Sequence, residues 1–182
     1  MINLKCGIFI SDEGYGHMVR QRAIIHELLK KIPTIEITIF NQNQLLYLKE
    51  TFGKKIRYVS VFNNILTKKK KDGSLDLTRT RRMLKIWKNN NIKWKKKVEK
   101  YFKNFNFIIS DSVPEAFELS HKYKIPGYNV SHYTWDWFFQ KVCKTNKKDL
   151  VEMDKNLSKC TKFFFPPFTP KDILKKYIKK TI

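Results

Sequence analysis

Three short stretches carry the residue types that chemistry would need. In the first, Asp12, Glu13, Gly14, Tyr15, Gly16 and His17 follow the apolar residues Ile8, Phe9 and Ile10, so a strand, a glycine turn and a helix start succeed one another. A neutral imidazole at position 17 could take a proton from a hydroxyl as a general base; the plainer role for His17 is helix entry. Gly14 and Gly16 permit backbone conformations or close approaches that a Cβ would block, and a helix N-terminus beside them attracts anions. The spacing lacks the third glycine of a dinucleotide fingerprint, because Arg20 and Gln21 stand there. Asp12 and Glu13 could orient His17 or bind substrate hydroxyls, or they simply cap the helix, whose positive end favours carboxylates.

The second stretch is Asp111 at the end of the apolar run 105–110. A carboxylate there either caps the following helix or faces the same crevice as His17. The third is SHYTWDWFF, residues 131–139, where polar groups are crowded among aromatics. His132, Trp135 and Asp136 could offer a stacking ring and hydrogen bonds, or the rings are core. His26 and His121 fall within helical patterns, and none of the four histidines has metal-ligand spacing, so neither a metal nor a cofactor is expected.

The elements that must position these residues alternate. Helical periodicity covers 17–31, closed by Pro33; a β-branched strand covers 35–40; a short helix covers 44–51, ending at Gly53; a third strand covers 56–61. The lysine run 67–73 reads as an exposed loop before a long helix over 75–103. In that helix Leu77, Leu84, Trp87, Trp94, Val98 and Tyr101 form one stripe, while Arg79, Arg81, Arg82, Lys85, Lys88, Lys95, Lys96 and Lys97 fill most of the rest. The stripe either packs on a sheet or meets a membrane or polyanion surface. Strands at 105–110, 128–130 and 163–165, with helices at 114–123, 147–159 and from 171, continue the rhythm. Strands separated by helices predict an α/β class protein: a single three-layer, Rossmann-like domain with a mostly parallel sheet, spanning 1–165, followed by a proline-rich break and basic helix at 166–182.

With 182 residues, 42% hydrophobic and 14% aromatic, the chain has ample material for one core. A net charge of +22 points to an anionic partner such as nucleic acid, an acidic membrane leaflet or a phosphorylated small molecule. Three widely spaced cysteines without a CxxC pair suggest neither a disulfide framework nor a thiolate metal site, which fits a cytoplasmic setting. No run reaches the length of a membrane span, so the expectation is a soluble or peripheral protein, possible sites including the inner membrane face.

The turn GYGHMVRQRAIIHEL and the later DSVPEAFELSHKYKIPGYNVSHYTWDWFF together resemble the N-terminal half of GT-B glycosyltransferases. The resemblance is nearest to the glycosyltransferase-like proteins related to the N-terminal region of L-arabinokinases, where a GxGHxxR turn is paired with an aspartate at a strand end and an aromatic T/S-W-D segment. Here those elements are Gly14, Gly16, His17, Arg20, Asp111 and the residues Tyr133, Thr134, Trp135 and Asp136. More distant is a similarity to the lipid-linked N-acetylglucosaminyltransferases of peptidoglycan synthesis and to nucleotide-sugar hydrolases with a GxGHxxR loop. The resemblance implies the acceptor-side half of an enzyme that moves a hexosyl or N-acetylhexosaminyl group from a nucleotide-sugar donor. His17 would be the base, with Asp12, Glu13, Gly14, Gly16, Asp111, His132, Trp135 and Asp136 binding substrate. The donor would be held by a second domain that is absent here, leaving this chain inactive alone; the acceptor would be a sugar, a lipid-linked one included. The alternative is a basic module that binds nucleic acid or another polyanion without catalysis.

Overall fold

The computed structural model describes residues 3–63 and 65–181. Six strands, β1 (Lys5–Ile10), β2 (Glu36–Asn41), β3 (Arg57–Ser60), β4 (Phe107–Asp111), β5 (Gly127–Val130) and β6 (Lys162–Phe164), form one sheet in the order β3-β2-β1-β4-β5-β6. Every neighbouring pair is parallel. The connections carry α1 (Gly14–Lys31), α2 (Leu45–Phe52), α3 (Leu77–Phe102), α4 (Glu115–Lys122), α5 (Trp135–Lys141) and α6 (Val151–Ser158), and α7 (Lys171–Tyr177) follows β6. This is the expected single α/β domain, with a sheet that is wholly parallel among the described residues.

Strand alternation sorts the apolar residues into two cores, because successive side chains point to opposite faces. Ile8, Ile10, Ile37 and Ile39 meet Met18 and Ile25 of α1 and Leu48 and Phe52 of α2 on one face. Phe9 and Phe40 meet Trp87, Trp94, Val98 and Phe102 of α3 on the other. The Phe9 and Phe40 rings stack at 4.3 Å and 6°, and Phe102 lies 5.4 Å from Phe9. The aromatic stripe of α3 is therefore core, as the packing alternative held, although its first member, Leu77, is 38% exposed. At the C-terminal end, Ile173 and Tyr177 of α7 join the same core, Tyr177 stacking on Phe163 at 4.1 Å. Gly7 on β1 has a plain steric reason: a Cβ there would stand 2.6 Å from the Phe105 ring.

Two boundaries differ from expectation in ways that matter. Helix α1 begins at Gly14, which takes a left-handed φ of +63°, so His17 lies a turn inside the helix instead of at its entrance. The lysine-rich segment is exposed at Lys69, Lys70 and Lys71 but is pinned at its base: Lys69 bridges to Leu75, and the Lys68 N–H donates to Thr80 Oγ1 at 2.9 Å. Asp76 caps α3 by accepting the Arg79 N–H. No helix among the described residues is long and apolar enough to cross a membrane.

One carboxyl is sealed in the α3 side of the core. Glu115, fully buried, accepts the Trp87 indole N–H at 2.9 Å. Burial raises its pKa from 4.5 to about 7, and the Trp87 hydrogen bond offsets only part of that. A carboxyl raised by folding favours the fold while protonated, so this contribution is full below 4.5, declines between 4.5 and about 7, and is gone above. Glu115→Gln keeps an acceptor for Trp87 and should remove that decline. Urea unfolding of both proteins is then expected to diverge by roughly 3 kcal/mol in the variant's favour between about pH 4.5 and pH 8; parallel pH curves would refute the assignment.

Candidate active site

In a parallel sheet of this order, chain connections leave β1 and β4 in opposite directions, and a crevice opens beyond their carboxyl ends. Ile10 of β1 and Asp111 of β4 are register partners at that edge, and the Ser11 N–H donates to the Asp111 carbonyl at 3.1 Å. Helix α1 starts directly above and directs His17, Arg20 and Gln21, three and four residues apart on one helix face, at the same carboxylate. His17 Nδ1 lies 2.7 Å from Asp111 Oδ1. Arg20 donates from Nη2 to Oδ1 at 2.8 Å and from Nε to Oδ2 at 2.9 Å, and Gln21 Nε2 donates to Oδ2 at 3.0 Å.

Asp111 is completely buried. Burial alone would push its pKa upward, but the His17 and Arg20 contacts outweigh it and hold the carboxyl below its ordinary value. An ionised carboxylate only accepts, so at 2.7 Å the proton between it and His17 sits on Nδ1. In the neutral imidazole Nε2 then carries a lone pair, and no described residue is hydrogen-bonded to it; Arg20 Nη2 also stands 3.2 Å from Nδ1. Arg20 reaches on, its Nη1 donating to His132 Nδ1 at 2.6 Å, which puts the His132 proton on Nε2. Partial burial and the Arg20 charge lower the His132 pKa, so this imidazole is neutral near pH 7. The Tyr133 ring stands edge-on to His17 at 6.2 Å, and burial, with the nearby Glu13 and Asp111 charges, raises its phenol well above the usual range.

His17, Asp111 and His132 thus come together, with Gly14 and Gly16 exposed at the rim and open space where a Cβ would project from either. The remaining sequence candidates are engaged elsewhere. Asp12 is buried and accepts the backbone N–H groups of Gln42 at 3.0 Å, Asn43 at 2.6 Å and Asn63 at 2.5 Å. Glu13 accepts from the N–H and hydroxyl of Thr67. Neither caps α1, because both carboxylates are drawn to loop N–H groups, so the capping alternative is corrected. Trp135 is 1% exposed, donates to the Ser112 carbonyl at 2.9 Å and packs among Tyr133, Phe138 and Phe139, leaving no face for stacking a ligand. Asp136 is buried and bound by Lys176 of α7 at 2.6 Å, outside the His17 cluster. For Asp111, the capping alternative gives way to the crevice, since α4 starts four residues later behind Pro114.

Sequence reading gave no role to Arg20, Gln21 or Tyr133, although Arg20 and Tyr133 stand in the motifs that carry the resemblance. Arg20 and Gln21 were legible in principle, standing at i+3 and i+4 from His17 on a helix. Tyr133 carried no signal that separated it from its aromatic neighbours.

No protein-family model and no curated protein sequence matches the chain. Among solved structures, the calicheamicin glycosyltransferase CalG4 is similar at a TM-score of 0.53 and 14% identity, over 97% of this chain and 43% of that one. UDP-glucose:anthocyanidin 3-O-glucosyltransferase, solved with UDP, is similar at 0.59 and 13%, over 99% and 52%. Arabidopsis thaliana UGT89C1, solved with quercetin, is similar at 0.61 and 9%, over 98% and 46%. The chain has the fold of one half of a GT-B glycosyltransferase. It spans about half the length of the solved chains it matches.

The tautomers are directly testable. Imidazole nitrogen NMR at about pH 8 should show His17 protonated on Nδ1 and His132 on Nε2. Asp111→Asn should erode the His17 preference and lower stability by on the order of 3 kcal/mol, because it strands a largely buried guanidinium. A His17 that remains Nε2-protonated in the wild type would overturn the assignment.

Proposed function

We propose that this chain is the acceptor-side half of a glycosyltransferase, in which His17 removes the proton from an acceptor hydroxyl as that oxygen attacks the anomeric carbon of a nucleotide-sugar donor and the bond from that carbon to the nucleoside diphosphate breaks, the diphosphate leaving with the electron pair. The observation that carries the reading is the Asp111-bound His17, whose Nε2 is hydrogen-bonded to no described residue. Nε2 accepts the hydroxyl proton, and the imidazolium that forms is stabilised by the Asp111 charge, already ionised and held by Arg20 and Gln21. His132 and Tyr133, flanking His17, are the groups placed to meet other acceptor hydroxyls. The transferred group is a hexosyl or N-acetylhexosaminyl unit, and the narrower likeness to the N-terminal region of L-arabinokinases rests on the GxGHxxR turn with Asp111.

The likeness to enzymes solved with UDP or with quercetin supports a nucleotide-sugar donor and a hydroxyl-bearing acceptor for the whole protein of which this fold is half. The donor is then held by a second domain, on this polypeptide or on a partner chain.

Activity is the test. The purified chain alone should not turn over UDP-sugars, and turnover should appear when the polypeptide that supplies the donor half is added. In that complete enzyme, His17→Ala should lower kcat by roughly a hundred to ten thousand fold with folding and donor affinity nearly unchanged. Robust turnover by the chain alone would reject the half-enzyme reading, and normal turnover by a folded His17→Ala enzyme would reject the base.

A further inference from the structure

Helix α3 has a second face that the core and the His17 corner do not use. The helix as a whole carries three arginines and seven lysines against one glutamate. That glutamate, Glu99, is taken by Lys122 and Tyr123 of the α4 side, and Lys95 pairs with Glu118 at 2.9 Å. Arg79, Arg82, Lys93, Lys96, Lys97 and Lys100 are exposed, with no carboxylate at ion-pair distance among the described residues. Over 26 residues the helix presents this face for about 39 Å, a nearly straight row of cations. Ile86 and Ile92, 43% and 63% exposed, flank the central row formed by Arg82, Lys93, Lys96 and Lys100.

Two neighbours extend the field. Lys69, Lys70 and Lys71 stand on the turn pinned to the start of α3 through Lys68 and Thr80. Beside the helix, a groove of about 490 Å³ is lined by Arg81, Lys85, Lys88 and Lys144, with Asp149 as its single acid. The indoles that could stack on bases, Trp87 and Trp94, are turned inward at 0% and 4% exposure. Single-stranded nucleic acid would therefore find charge here without a stacking platform. A flat cationic row edged by aliphatic side chains instead suits anionic headgroups above an acyl boundary.

We propose that the outer face of α3, with the adjoining lysine turn, docks this protein in the plane of an acidic lipid bilayer. Headgroup phosphates would sit along Arg82, Lys93, Lys96 and Lys100, and Ile86 and Ile92 would touch the acyl boundary. The docking is independent of the reaction at His17. The turn that contributes Lys69 to Lys71 is also the one whose Thr67 binds Glu13 beside the His17 corner, so the surface begins at the site's edge.

Vesicle sedimentation with phosphatidylcholine alone and with phosphatidylglycerol added, at about 0.1 M salt, tests this. Binding is expected only to the acidic vesicles and should weaken as salt rises. The triple variant Lys93→Glu, Lys96→Glu, Lys100→Glu should lose at least about a hundredfold in partitioning, at roughly fivefold per basic residue near the surface. A control of equal charge change on the opposite layer, Lys30→Glu, Lys31→Glu, Lys49→Glu, should change it by less than about threefold, because those charges lie beyond a Debye length. Thermal melts of both variants establish that each is folded. Absence of binding to acidic vesicles, or equal loss in the two triples, would overturn the proposal. It would equally fall if single-stranded or duplex oligonucleotides bound more tightly than vesicles and displaced them, which would make nucleic acid the partner of this face.

Discussion

A carboxylate with no solvent exposure is sustainable only if its oxygens are filled with donors, and Asp111 obtains all of its side-chain donors from one face of α1. That requirement fixes the depth and rotation of the helix over the sheet edge. It also explains why the helix begins where it does: with Gly14 in a left-handed conformation, the chain turns immediately after Ser11 and Asp12, and His17, Arg20 and Gln21 arrive within reach of the end of the neighbouring strand β4. Arg20 passes the constraint onward to His132, so the loop after β5 is tied to the same charge. Ser112, the residue after Asp111, has a φ of +60°, a conformation that costs a non-glycine residue energy and that clusters where surrounding structure must hold a functional group. Its carbonyl is held by the buried Trp135 indole, which makes the aromatic segment a support for Asp111's backbone turn.

The loops around this edge are held from the other side of the sheet. Trp94 of α3 donates to Asn63 Oδ1 at 3.0 Å, Asn63 Nδ2 donates to the Phe40 carbonyl at 3.0 Å, and the Asn63 N–H donates to Asp12. Asp12 in turn gathers the N–H groups of Gln42 and Asn43 after β2. Burial pushes the Asp12 carboxyl up, and its three backbone donors offset part of that, so the group is committed to organising backbone. A polar chain thus runs from the long helix to the first residues before α1. The long helix has one face devoted to this internal anchoring and to ring packing; its charge lies on the other sides, with Lys95 turned to Glu118 and Arg82, Lys93, Lys96 and Lys100 facing outward.

Much of the architecture was legible because it rests on periodicity. The strand and helix alternation follows from apolar spacing and from the crossover rule for parallel sheets, while the packing of the α3 stripe and the meeting of His17 with Asp111 were each one of two open alternatives. What was not legible depends on which hydrogen-bond partner wins. Asp12, Glu13 and Asp136 are carboxylates in a promising neighbourhood, and nothing local distinguishes one that faces a substrate from one that collects N–H groups of a distant loop or a lysine of α7. Trp135 differs from a sugar-stacking tryptophan in its burial among Tyr133, Phe138 and Phe139 and in the Ser112 carbonyl that accepts its indole proton. Arg20 was visible in the motif, but its use as the bridge between Asp111 and His132 requires the tertiary approach of β4 and the loop after β5.

The way these groups are committed bears on how the reaction would be divided between two halves. Transfer from a nucleotide-sugar donor leaves a diphosphate, and a site that accelerates its departure needs positive charge or N–H donors aimed at it. Among the described residues of the His17 cluster the only guanidinium or ammonium is that of Arg20, and both Nε and Nη2 are bound to Asp111 while Nη1 is bound to His132. A diphosphate drawn to Arg20 would compete with the carboxylate that orients His17, weakening the proposed base. Stabilising the leaving group and orienting the base are thus conflicting demands on this corner. In the proposed reaction the conflict would disappear if the two charges were separated, with Asp111 and Arg20 serving the hydroxyl side and the diphosphate held by a second domain.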